Sequence, residues 1–258
     1  MPTTDTVTVE IENGVATITI DRPERLNALN VEVLEGLRTA IDEAGTADAR
    51  AIVLRGAGED AFVAGADISY MQDLSTPEAQ AYAELGHDVA RELETFPAPV
   101  VAAIDGYAFG GGSELALGCD LRVASTDAVI GQTEIDLGIV PGWGGTQRLP
   151  RLVGDETARR MVFLGQRLDA ETAESAGLFG EVVAPESFDE RVRELAERLA
   201  AQPRFAVAAA KEAINQSHEE SLASGLETEQ RLWSGLFGTH DQREGMRAFL
   251  EDRDPEFE

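Results

Sequence analysis

The stretch that most limits the possible folds runs from Pro99 to Gly118. It opens on an unbroken apolar run, Val100-Val101-Ala102-Ala103-Ile104. A strand without polar alternation is buried on both faces, the habit of parallel sheets covered by helices. Asp105-Gly106 then allows a sharp turn, and Gly110-Gly111-Gly112 leads into Ser113-Glu114-Leu115-Ala116-Leu117, which reads as a helix. Unpaired N–H groups at such a glycine-rich helix start can approach a negative oxygen with no Cβ in the way.

The flanking pattern extends this to a larger α/β unit. Val7 to Ile11 and Val15 to Ile20 alternate around Asn13-Gly14, whose positive φ angles suit a hairpin. Val31, Val33, Leu34, Leu37 and Ile41 recur at helical spacing over 30–43, behind Asn30 as a cap. Ala51 to Leu54 is a short apolar strand, 77–95 a long helix with Pro77 in its first turn, and 123–124 and 128–130 are further strands. Beyond residue 141 the pattern is mostly helical, at 155–164, 170–176, 187–201, 204–216, 219–237 and 239–251, with one short strand at 181–184. This order predicts an α/β core with a helical appendage. Its 258 residues make one or two domains, divided here into a core over 1–200 and a helical region with an acidic tail over 201–258. The last eight residues carry five acids plus Arg253 and read as a solvated tail.

Charge narrows the partners. The chain has 48 acidic against 21 basic residues, a net charge of −27, and Lys211 as its only lysine. Repulsion on this scale opposes compaction at low salt and is screened within about 3 Å at 1 M salt. Acid excess with scarce lysine predicts a halophilic protein of a high-salt cytoplasm; arginine-favouring codon bias is the other source of such a composition. Nucleic-acid binding, which needs a basic footprint, is disfavoured. Arg22 with Arg25, and Arg148 with Arg151, are candidate clusters for an anionic ligand, set against the ordinary solvated role of surface arginines. No run approaches the ~18 apolar residues of a membrane span. Met1 to Asp5 has neither the basic nor the apolar region of a secretory signal, so a cytoplasmic location is expected. Cys119, the single cysteine, can form no intramolecular disulfide and reads as a small buried core residue.

Glu114 and Glu134 stand twenty positions apart, each inside a glycine-flanked segment. Upstream, Ala64-Gly65-Ala66 follows the strand at 51–55 and can expose another N–H, that of Ala66. Two carboxylates beside such donors can move protons next to a carbonyl that is becoming an oxyanion. Plainer readings stand beside this one: glycines that only pack a helix on a sheet with Glu114 at the surface, an apolar turn at 62–68, and turn capping by Asp67 and Asp136. Gly106 to Ser113 approaches a phosphate loop, but Gly112 occupies the lysine position. No dinucleotide glycine fingerprint follows the first strand. His87, His218 and His240 are scattered, so no metal is expected, and Ser113 lacks a nucleophile elbow and a suitably placed histidine.

Five segments together resemble the enoyl-CoA hydratase/isomerase (crotonase) superfamily. They are Arg22 to Leu29, Ala64 to Ile68, Gly106 to Ala116, Gly131 to Arg148 with its Pro141-Gly142-Trp143-Gly144-Gly145, and Glu244 to Leu250. The resemblance covers roughly residues 5–253. It implies a spiral of ββα units with a helical C-terminal trimerisation region, assembled as a homotrimer or homohexamer, and an acyl-CoA thioester substrate with no further cofactor. Carried over by motif position, the N–H groups of Ala66 and Gly111 form the oxyanion hole, and Glu114 and Glu134 take the catalytic carboxylate positions. Leu26, Ala28, Ala64, Asp67 and Ile68 fall at substrate- and CoA-binding positions, and the Gly142 N–H at one that helps hold water. Retention of both acids points to hydration of trans-2-enoyl-CoA in fatty-acid β-oxidation or related metabolism. An enoyl-CoA isomerase, another crotonase-type enzyme and an RNA-binding relative are the alternatives. Ser69 and Asp252 stand where the family often has lysine, which weakens the expected grip on CoA. Lys211 reads as a helix-surface residue, with a phosphate contact as the alternative.

Overall fold

The computed structural model describes residues 6–258; Met1 to Asp5, read above for the lack of a leader, lie outside the described residues. The strands are β1 Val7–Glu12, β2 Val15–Ile20, β3 Ala51–Gly56, β4 Ala61–Val63, β5 Val100–Ile104, β6 Tyr107–Phe109, β7 Leu121–Ser125, β8 Val129–Gly131, β9 Arg167–Asp169 and β10 Glu181–Val183. The helices are α1 Val31–Thr46, α2 Ile68–Met71, α3 Thr76–Thr95, α4 Gly111–Gly118, α5 Gly145–Val153, α6 Asp155–Leu164, α7 Ala170–Ser175, α8 Pro185–Ala200, α9 Arg204–Gln216, α10 Leu222–Gly235 and α11 His240–Glu251. A 3-10 turn spans Glu134–Leu137.

Two sheets organise these elements. The larger has the order β1-β2-β3-β5-β7-β10 and the smaller β4-β6-β8-β9. Pairing is parallel throughout, except for the β1–β2 hairpin and the β8–β9 pair. The pairs β3/β4, β5/β6 and β7/β8 each send their first strand to the large sheet and their second to the small one. Repetition of that step gives the expected spiral of ββα units. The apolar run at 100–104 is buried along its whole length, between β3 and β7. Its alternate side chains serve two cores. Val100, Ala102 and Ile104 join the main cluster, while Val101 and Ala103 pack with Phe188, Val192 and Ala196 of α8.

Local chemistry explains the helix starts. Asn30 accepts the Val33 N–H at 3.0 Å and caps α1, whose buried face carries Leu34, Leu37 and Ile41. Ser75 and Glu78 make a capping box on α3, with the Ser75 N–H donating to Glu78 at 2.8 Å. Helix α10 begins at Leu222 behind a Ser221 cap, shorter than the expected 219–237. Strands β4, β6 and β9 and helices α2 and α5 go beyond the sequence reading. Three-residue strands are too short for a period-two pattern, and α5 contains Pro150.

One surface reading needs correction, and the tail gains a detail. Lys211 is half-buried rather than displayed: its ammonium pairs with Asp120 at 2.7 Å and donates to the Leu93 and Ala98 carbonyls at 3.1 Å each. It ties α9 to the ends of α3 and β5. The C-terminal tail is exposed but folds back on α11, because Arg253 pairs with Glu244 at 2.6 Å and the Glu258 N–H donates to Asp241 at 2.9 Å. Among the described residues no helix is long and apolar enough to cross a membrane.

Candidate active site

A cavity of about 600 Å³ opens where the β4–α2 loop, the start of α4, the Glu134 turn and the 139–143 segment converge. Ala64, Ala66 and Ile68 line one side, and Gly111, Glu114, Glu134 and Gly142 the other. Seven of the ten singled-out residues thus share one space. Leu26, Ala28 and Asp67 are not among its lining; they sit on the adjoining loops. There the Ala64 N–H donates to the Leu26 carbonyl at 3.0 Å, and Arg22 bridges the Ala28 carbonyl to Asp67. Asp67 also accepts the Ser69 N–H at 3.1 Å and caps α2. Its turn-capping reading therefore describes its contacts. Asp136 departs from that reading and lines the cavity beside Glu134.

The main-chain amides are set by glycines and by the sheet. Gly110 holds φ +50° with ψ −122°, a backbone region closed to other residues, and an added Cβ would lie 3.2 Å from the Glu134 carboxylate. That turn starts α4 at Gly111, where an added Cβ would fall 2.3 Å from the Trp143 ring. Ala66 bridges Leu29 in parallel fashion, which fixes the other loop. Among the described residues neither the Ala66 nor the Gly111 N–H has an acceptor, and both residues line the cavity. Unpaired donors facing a cavity suit a developing negative oxygen.

The two acids differ in their surroundings. Glu114 is buried, and its Oε1 accepts the N–H groups of Trp143 and Gly145 at 2.7 Å each. Burial raises its pKa; these bonds, the nearby Gly142 N–H and Arg148 pull it back. Glu134 is also buried but lacks such donors from the 143–145 loop. Burial, then the charge of Glu114, push its pKa up to about 7. The pair is thus biased toward an ionised Glu114 and a protonated Glu134 near neutrality.

In the sequence Trp143 is one member of the 141–145 motif; in the structure it holds the site together. Its ring is buried, meets Tyr82 edge-on at 5.3 Å between centroids, and packs on Gly86 and Gly111. It anchors the loop whose N–H groups hold Glu114. The sequence signal was a tryptophan among glycines, with no hint of its partner on α3. Arg148, a candidate anion ligand, is instead spent on Glu94 at 2.8 Å and on the Trp143 carbonyl at 3.1 Å. Cys119 is buried as expected.

The fold and the cavity define an α/β protein that presents two free main-chain amides to a pair of buried carboxyl groups. The sequence profile of the enoyl-CoA hydratase/isomerase family matches residues 10–258, and the chain belongs to that family. It is 42% identical over 248 residues to a short-chain-enoyl-CoA hydratase of Clostridium acetobutylicum, covering 96% of this chain and 95% of the relative. It is 39% identical over 254 residues to a crotonyl-CoA hydratase of Syntrophomonas wolfei, covering 98% of each. The crystal structure of an enoyl-CoA hydratase from Bacillus anthracis superposes with a TM-score of 0.94 at 37% identity, covering 98% of this chain and 99% of that one.

Proposed function

We propose that this chain is an enoyl-CoA hydratase, a hydro-lyase adding water across the α,β double bond of trans-2-enoyl-CoA thioesters. The observation that carries the reading is the meeting of two acceptor-free amides and two unlike carboxyl groups in one cavity. The hydratase names of its relatives support it.

In this reading the thioester oxygen lies between the Ala66 and Gly111 N–H groups. As the enolate forms, each donor stabilises it by on the order of 3 kcal/mol. Glu114, ionised and held by the Trp143 and Gly145 amides, takes a proton from water while the oxygen bonds to the β-carbon. Glu134 gives its proton to the α-carbon. One water O–H bond breaks, and one C–O and one C–H bond form. The proton left on Glu114 returns to Glu134 through the next water, since the pair shares protons. Gly142 helps to hold that water. Coenzyme A arrives as part of the substrate, and the reading calls for no cofactor, metal or nucleic acid.

Finer assignments belong to the same proposal. They are a place in fatty-acid β-oxidation, a high-salt cytoplasm, and a homotrimer or homohexamer built through the helical region over 201–258. Exposed apolar side chains at Leu222, Trp233, Phe249 and Leu250 support the assembly. The test is loss of the conjugated thioester absorbance with crotonyl-CoA and longer enoyl-CoAs in concentrated KCl. Steady loss is expected; unchanged absorbance with every chain length would overturn the reading.

A further inference from the structure

The loop that carries the Ala66 N–H is held by a short strand-like contact with Leu29. The Leu29 N–H donates to the Gly65 carbonyl at 2.9 Å, and the Asp67 N–H donates back to the Leu29 carbonyl at 2.6 Å. The Gly65 carbonyl and the Ala66 N–H belong to one planar trans peptide, so they point in opposite directions. With the carbonyl held toward Leu29, the N–H faces away from it. The aim of this donor is therefore only as firm as the hold on Leu29.

Tyr82 supplies part of that hold. It stands on α3, is 5% exposed, and its hydroxyl donates to the same Leu29 carbonyl at 2.7 Å. A carbonyl oxygen has two lone pairs; the Asp67 N–H takes one here and the Tyr82 hydroxyl the other. Burial first, then the nearby Tyr70 and Asp67, raise the pKa of this hydroxyl well above the usual phenol value, so it stays a donor across the working pH range. The ring is fixed from two further sides, tilted against Tyr70 at 5.2 Å and edge-on to Trp143 at 5.3 Å between centroids. The Leu29 contact is thus anchored to a long helix rather than to another loop. A buried tyrosine hydroxyl needs some partner; its use of the carbonyl behind the oxyanion amide is what gives this one a part in the reaction.

We propose that Tyr82 is a positioning residue for the oxyanion hole: through the Leu29 carbonyl, it keeps the Ala66 N–H aimed at the thioester oxygen. The proposal rests on the hydration reading. A hydrogen bond weakens steeply as its angle closes. The bond from Ala66 strengthens as the thioester oxygen gains enolate charge, so a loosened aim costs the transition state more than the bound substrate.

Tyr82→Phe tests it. The variant keeps the ring, its two aromatic contacts and the cavity wall, and the Leu29 carbonyl keeps the Asp67 N–H, so the fold is retained. The kcat for hydration is expected to fall about 10-fold with KM retained. Both limbs of the pH–rate profile are expected to stay in place, because the Trp143 loop that holds Glu114 is untouched. Tyr70→Phe, which removes a neighbouring hydroxyl from the same ring stack, is the matched control and is expected to behave as wild type. The second readout is the infrared carbonyl band of bound butyryl-CoA labelled with carbon-13 at the thioester carbon, a saturated ligand that cannot be hydrated. Firm donors lower this band, so it is expected at higher frequency in Tyr82→Phe than in wild type. An unchanged band, an unchanged kcat or a displaced pH limb in Tyr82→Phe would each overturn the proposal. Wild-type protein that lowers the butyryl-CoA band yet leaves enoyl-CoA unchanged would instead defeat the hydration reading, and the infrared comparison would still decide whether Tyr82 aims the amide.

Discussion

Glu134 carries a cost for its placement. Its pKa is near 7 in the folded protein but close to the ordinary 4.5 in the unfolded chain. The folded state therefore binds the extra proton, and the stabilisation this provides is complete below about 4.5 and lost as pH rises through about 7. The window is worth on the order of 3 kcal/mol. Glu134→Gln removes that loss. At pH 8 the variant is expected to melt above the wild type, with the gap closing at acidic pH, while turnover falls roughly 100-fold or more. Calorimetry at the two pH values, alongside enoyl-CoA hydration, checks both halves; an equal melting point at pH 8 would remove the cost. Glu114→Gln is expected to lose turnover on the same scale. Lys211 makes a second case. Removing one partner of a largely covered pair strands the other, so Lys211→Met is expected to cost about 1–3 kcal/mol in urea unfolding. No pattern in the sequence distinguished this lysine from a surface one, because its partner Asp120 is far away along the chain.

Among the elements, the contact of α3 with the 142–145 loop is the one to perturb. Gly86 lies in α3 and touches no reacting group, yet an added Cβ would fall 2.2 Å from the Trp143 ring. Overpacking of this kind costs about 1–3 kcal/mol. Gly86→Ala is expected to displace the ring, loosen the amides on Glu114 and lower kcat; Trp143→Phe in the same chain is expected to recover part of the stability. Kinetics and thermal melts of the single and double variants read this out, and an unaffected kcat in Gly86→Ala would deny the coupling. Periodicity and cap chemistry made α1, α3 and β5 legible, since those signals sit within one element. Of the small-sheet strands only β8 was legible, in the apolar run at 128–130, while β4, β6 and β9 carry too little pattern, and the pairing of all four is settled by neighbours distant in sequence.

At the scale of the whole molecule, a charge of −27 surrounds exposed apolar side chains on the last helices, with Phe249 85% and Leu250 83% exposed. Salt weakens the repulsion while favouring burial of the apolar patch. The melting temperature is therefore expected to rise through a KCl series, together with the sedimentation coefficient. Phe249→Glu with Leu250→Glu is expected to leave a slower-sedimenting species at every salt concentration. A melting point indifferent to KCl would defeat the high-salt reading, and an unchanged sedimentation coefficient in the double variant would defeat this patch as the interface.

The chain of residues alone determined the hairpin, the buried strand, the helix starts and the glycine turn that opens α4. Each depends on side chains a few positions apart. It also marked Ala66, Gly111, Glu114 and Glu134 as worth watching, through motifs rather than through geometry. Only the tertiary structure decided that these four share a cavity, that Trp143 braces it, and that Tyr82 bonds the Leu29 carbonyl. Desolvation and Coulomb forces act through space, so the difference between two glutamates of the same intrinsic acidity arises only after folding brings their neighbours together.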